Sequence, residues 1–110
     1  MKERQALAAF AALSQETRLR ILRLLVVAGP EGLAAGVIAA QAGVSASNVS
    51  FHIKELERAG MVTSRRESRS ILYSVDFGVL NGLVRFLMED CCGGQIKGCE
   101  VSEQRACTAV

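Results

Sequence analysis

The sequence predicts a mostly α-helical domain carrying one β-hairpin, on the strength of three observations. Apolar residues recur at helical spacing over most of the chain before Met61; the period changes to two from Met61 to Val75; and it returns to a helical period from Val79 to Leu87. At 110 residues the chain is the size of one small domain with a modest core. Association with a second copy is therefore an expected source of extra stability.

Residues 3 to 12 read as a first helix, with Ala6, Leu7, Ala9, Phe10 and Leu13 on one broad face. Ser14 is the expected N-cap of the second helix, and Glu16 in its first turn suits the positive end of the helix dipole. Leu19, Ile21, Leu22, Leu24, Leu25 and Val26 make that helix apolar on most sides, and Gly29-Pro30 ends it, so it is expected in the core. After Leu33 a short small-residue helix carries Val37, Ile38, Ala39 and Ala40 and stops at Gly43. The next begins at Ser45 or Ala46 and runs to Ala59, with Gly60 as its C-cap. Two short helices joined by a glycine turn form a helix-turn-helix. Met61 to Arg66 and Ser70 to Val75 are β-rich runs around a polar turn, Glu67-Ser68-Arg69, and a hairpin directly after a helix-turn-helix is a wing. Asp76 is the expected cap of a last helix, in which Val79, Leu80, Leu83, Val84, Phe86 and Leu87 form an apolar face wider than one core seam needs. The surplus is expected to bury against a second copy. The predicted fold is thus a winged helix-turn-helix.

Charge is informative by its distribution. The formal balance of +2 is too weak to argue nucleic-acid binding by itself. Between Lys54 and Arg69, however, Lys54, Arg58, Arg65, Arg66 and Arg69 outnumber Glu55, Glu57 and Glu67. Val49, Ile53 and Leu56 share the inward face of the fourth helix, which leaves Ser47, Asn48, Ser50, His52 and Lys54 on its other faces near its start. Short polar side chains there can reach base edges or phosphates in a major groove. Taken alone, that face could equally be a solvated one. The wing tips the reading toward double-stranded DNA, because Arg65, Arg66 and Arg69 would lie along the flanking backbone or minor groove. His52 is the only histidine and has no carboxylate or cysteine at ligand spacing on its helix, so it reads as a DNA-contact or packing residue rather than a metal ligand.

No apolar run reaches the roughly 20 residues of a membrane span, and Met1-Lys2-Glu3-Arg4 opens no cleavable leader. A cytoplasmic protein is expected, where thiols stay reduced, so four cysteines argue for metal binding or redox chemistry rather than a disulfide scaffold. Cys91 and Cys92 follow the last helix directly, and Cys99 comes after a glycine-containing loop that can fold back on them. Thiolates are soft donors, and the cluster reads as a trap for a thiophilic ion. The chain divides accordingly into residues 1–90, the DNA-binding and dimerisation domain, and residues 91–110, a polar tail expected to order only when its cysteines are occupied.

The segments Leu13-Ser14-Gln15-Glu16-Thr17-Arg18-Leu19-Arg20-Ile21-Leu22 and Val49-Ser50-Phe51-His52-Ile53-Lys54-Glu55-Leu56-Glu57-Arg58-Ala59-Gly60-Met61-Val62, in this order of elements, resemble the ArsR/SmtB family of winged-helix repressors over about residues 5 to 90. The resemblance implies a homodimer joined through its first and last helices. It implies also that the free form represses a resistance or efflux operon and that effector binding releases it from DNA. Two departures are visible. Familiar arsenic sensors of the family carry a Cys-Val-Cys-type pair in the first helix of the helix-turn-helix, whereas Leu33 to Ala40 contain no cysteine. The chain resembles instead an arsenic-responsive subgroup with Cys-Cys near the end of the last helix and a third cysteine beyond, which maps onto Cys91, Cys92 and Cys99. The second departure is Ser68, where relatives usually place a wing-turn glycine.

Trivalent arsenic or antimony suits this donor set. The lone pair leaves a pyramid that three thiolates complete, whereas structural zinc takes four ligands, usually in Cys-x-x-Cys pairs, and only Cys107 could be the fourth. Methylarsenite would need two thiolates. A zinc or cadmium sensor and a thiol-redox sensor, in which Cys91 or Cys92 pairs with Cys99 or Cys107, are the alternatives on the same fold. No organic cofactor and no enzyme activity are expected. The Cys-x5-Arg spacing from Cys99 to Arg105 matches phosphate-binding loops, but two glutamates lie inside it and no strand pattern precedes it.

Overall fold

The computed structural model describes residues 1–90 and Gly93. Five helices, one 3-10 turn and three strands follow one another among them. Helix α1 spans Glu3–Leu13, and its first turn is held by the backbone N–H of Lys2 donating to Oε1 of Gln5 at 3.0 Å. Ser14 closes α1 instead of opening the next helix: its hydroxyl donates to the Ala11 carbonyl at 2.8 Å. The N-cap of α2 (Glu16–Ala28) is Gln15, whose Oε1 accepts from the Arg18 N–H at 2.9 Å. Gln15 is extended, as an N-cap must be, whereas Ser14 still has helical dihedrals, which corrects the cap expected one residue earlier.

Ile21, Leu22 and Leu25 of α2 are buried, but Leu19 remains 45% exposed, so only part of this apolar helix is core. Gly29–Glu31 form a 3-10 turn, and β1 (Leu33–Ala34) follows. This strand has no sequence signature, since two residues cannot show alternation. It exists because Gly32, at φ 73°, brings the backbone so close to Tyr73 that a Cβ would collide with the Tyr73 carbonyl oxygen. Helix α3 (Ala35–Ala42) ends on Gly43 at φ 70°, and α4 (Ala46–Arg58) opens on Ser45, whose Oγ accepts from the Asn48 N–H at 3.3 Å. The C-cap of α4 is Ala59, and Gly60, at φ 79°, stands just beyond it.

Strands β2 (Val62–Glu67) and β3 (Ser70–Val75) form the hairpin, and β1 adds to the far side of β3, so the antiparallel sheet has the order β1-β3-β2. Glu67 lies opposite Ser70, which leaves Ser68 and Arg69 as a two-residue turn, one shorter than the sequence suggested. Ser68 has φ 54°, a left-handed value that costs a residue with a Cβ about 1 kcal/mol. Helix α5 (Phe77–Met88) is capped as expected, Asp76 Oδ1 accepting from the Val79 N–H at 3.1 Å.

The core gathers Ile21, Leu25, Ile38, Val49, Ile53, Leu56 and Met61, so α2, α3, α4 and the start of the wing share one apolar centre. Helix α1 enters through small residues, Ala6, Ala9 and Ala12. Leu83 is the sole residue of α5 that is fully buried, and Val84, Leu87 and Met88 are exposed beside Leu7 and Phe10 among the large apolar side chains left at the surface. No helix among the described residues is long and apolar enough to cross a membrane.

Candidate nucleic-acid interface

Helix α4 is fixed from within by Val49, Ile53 and Leu56, each at most 2% exposed. At 3.6 residues per turn this stripe leaves an opposite face made by Ser47, Ser50, Phe51, Lys54 and Arg58, all exposed. Asn48 is exposed at the helix start, where its N–H is taken by the Ser45 cap while its side-chain amide has no partner among the described residues. Ser47, Asn48, Ser50 and Lys54 are therefore presented outward together, on a rigid helix whose other side is locked into the core.

His52 stands apart from them. It is half-buried, and its Nδ1 is inaccessible and makes no hydrogen bond among the described residues. Burial lowers its pKa below the ordinary 6.5, the Arg18 cation lowers it further, and Glu55 partly opposes the fall. A neutral imidazole turned toward the body of the protein is a packing group, and the ring also meets Phe51 edge to face with centroids 5.2 Å apart. Of the two roles the sequence left open for His52, this placement favours packing.

The wing arginines separate in the same way. Arg65 donates from Nη1 to the Pro30 carbonyl at 2.9 Å and from Nη2 to the Glu31 carbonyl at 2.8 Å, and its Nε pairs with Glu67 at 3.4 Å. It thereby staples the hairpin to the turn that follows α2. Three of its five guanidinium N–H groups are thus engaged within the protein, which ties the wing to the body. Arg66 and Arg69 are exposed and make no ion pair among the described residues. They remain the wing's available cations. Sequence reasoning missed the staple because its partners lie 34 and 35 residues away. It also passed over Phe51, 56% exposed on the outward face of α4, although its position opposite Val49 and Ile53 was readable from helical periodicity.

The cysteines Cys91, Cys92 and Cys99, together with Cys107, lie outside the described residues. Among the described residues no three His, Cys, Asp or Glu side chains come together to hold a metal ion.

Comparison with known proteins bears on this arrangement. A helix-turn-helix domain family model matches residues 13–65, from the end of α1 to the middle of β2. The HTH-type transcriptional regulator YgaV of Escherichia coli K12 is 34% identical over 88 residues, covering 80% of this chain and 87% of that protein. An ArsR-like transcriptional regulator from Rhodococcus sp. RHA1 superposes with a TM-score of 0.70 at 30% identity, covering 94% of this chain and 89% of its own. The homodimeric winged helix-turn-helix DNA-binding domain Mb0332 of Mycobacterium bovis superposes with a TM-score of 0.62 at 26% identity, covering 80% and 82%. With the recognition helix, the wing and these likenesses in agreement, the chain belongs to the ArsR-like family of winged helix-turn-helix transcriptional regulators.

Proposed function

We propose that this DNA-binding regulator is a homodimeric repressor that holds an inverted-repeat operator when free and lets go when trivalent arsenic or antimony is bound by Cys91, Cys92 and Cys99. The observation that carries the effector half is the sequence itself: three thiols within nine residues, starting three residues after α5 ends at Met88. That donor set fits a pyramidal thiophilic ion better than tetrahedral zinc. Dimerisation is supported by the apolar residues that α1 and α5 leave exposed, Leu7, Phe10, Val84, Leu87 and Met88, and by the homodimeric state of the Mycobacterium bovis relative. An effector bound at the end of α5 would act on the helix that sets the separation of the two α4 helices, and a coupling of about 1–3 kcal/mol, roughly 5- to 150-fold in DNA affinity, is typical of such linkage.

The test is DNA release by the pure reduced protein, followed as fluorescence anisotropy of duplex from its own promoter during titration with arsenite, antimonite, methylarsenite, zinc and peroxide. Release by arsenite or antimonite at protein-equivalent concentration, lost when Cys91, Cys92 or Cys99 is changed to serine and kept when Cys107 is, is the expected result. Release by zinc alone, dependent on Cys107, would establish the four-thiolate reading, and release by peroxide alone would make the protein a redox sensor.

A further inference from the structure

Phe51 is the one large apolar side chain that α4 leaves exposed, at 56%, and it stands at the centre of the outward face. Ser47 lies four residues before it, Lys54 three after and Arg58 seven after, which is the spacing of neighbours on one helical face. All three are exposed and polar, Arg58 being paired with Glu55 at 3.3 Å, so the apolar surface is a single ring among hydrogen-bonding and charged groups. A protein-docking patch is built otherwise, from several contiguous apolar residues, as α1 and α5 supply. The Phe51 ring is also steadied, because the half-buried His52 imidazole meets it at 5.2 Å with an interplanar angle of 67°.

In the major groove the base edges offer donors and acceptors and one apolar group, the C5-methyl of thymine. Building on the reading of α4 as the recognition helix, we infer that Phe51 is a specificity-determining residue that packs on thymine C5-methyl groups in each half-site. Lys54, one turn along the same face, then meets a guanine edge or phosphate beside that thymine, while Arg58 is paired with Glu55 at 3.3 Å. The ring contributes by removing methyl surface from water, so each methyl contacted raises affinity about fourfold, the equivalent of ~0.8 kcal/mol for a methylene-sized group.

Duplexes enriched by the 110-residue chain from a random library of roughly 20 base pairs, two helical turns, supply the probe. Each thymine in the enriched site is then replaced by deoxyuridine, which deletes only the methyl, and affinity is measured for the wild type, Phe51→Ala, Phe51→Gln and Phe51→Leu. The expected result is a loss of about fourfold per methyl at one or two positions per half-site for the wild type. Phe51→Ala and Phe51→Gln should bind thymine and deoxyuridine duplexes alike, and Phe51→Leu should keep part of the difference. Absence of any sensitive thymine, or equal sensitivity in the wild type and both the alanine and glutamine variants, overturns the assignment while leaving salt-dependent DNA binding intact. Absence of salt-dependent binding to any duplex by the wild type would remove the DNA reading as well, and the two failures are thereby distinguishable.

Discussion

Helices α4 and α5 carry comparable stretches of apolar sequence but finish them differently. In α4 the stripe Val49, Ile53 and Leu56 is closed within one chain, at 0%, 2% and 0% exposure. In α5 Leu83 alone reaches that state, at 4%, while Leu87 is 60% exposed and Val84 43%. A helix that reads sequence must be held rigidly from behind, and α4 is. A helix that joins copies must leave apolar surface unspent until the partner arrives. The same division recurs in the wing, where Arg65 is consumed by the protein's own carbonyls and Arg66 is left for something outside.

Substitutions that move a residue from one class to the other test the contrast. The largest effect belongs to the closed stripe: Leu56→Ala should cost about 2–5 kcal/mol of unfolding free energy in a urea titration, whatever the protein concentration. Leu87→Glu should leave the folded chain near its original stability at high dilution and raise the dimer dissociation constant at least about a hundredfold in sedimentation experiments, since it places a charge in the contact. If Leu87→Glu instead unfolds the chain and Leu56→Ala only weakens association, the contrast between the helices is wrong. Smaller differences separate the arginines. Arg66→Ala should lower the slope of log affinity against log salt by about one phosphate contact, whereas Arg65→Ala should keep that slope and cost about 1 kcal/mol of stability. Ser68→Gly should add about 0.5–1 kcal/mol by relieving the left-handed dihedral. The smallest effect is in pH. Because the folded protein holds a proton on His52 less readily than the unfolded chain does, unfolding free energy should fall as pH drops below 6.5 and level off once the folded form protonates too. His52→Gln should flatten that slope, measured as midpoint shifts across the range.

Much of this frame is legible in the sequence. Gly29-Pro30, Gly43 and Asp76 mark element ends through backbone chemistry that acts locally, and the structure places the ends there. What could not be read depended on distance along the chain or on brevity. The two-residue β1 exists through its pairing with β3, some 40 residues later by register, Leu33 to Tyr73 and Ala34 to Leu72. Arg65 looked like its neighbours until the Pro30 and Glu31 carbonyls were brought beside it. Ser14 lost the cap to Gln15 because a longer side chain, one residue on, reached the same class of amide. For the candidate site, periodicity identified the outward polar residues of α4, and the aromatic among them, Phe51, was passed over. The expected thiol site lies outside the described residues, so its reading rests on donor chemistry alone.

The Arg65 staple has a thermodynamic consequence for how the wing meets a duplex. A hairpin that waves freely must be frozen when it docks, at roughly 1–2 kcal/mol of entropy for each backbone residue ordered. Here β3 is clamped on one side by β1, and the middle of β2 is tied to the turn after α2 by two carbonyl contacts from Arg65. Most of that ordering has already happened during folding, so the wing arrives at DNA pre-organised. Its exposed arginines then act as a fixed electrostatic template, and loosening the staple would show first as slower productive docking and a more unfavourable binding entropy, with the cations themselves untouched.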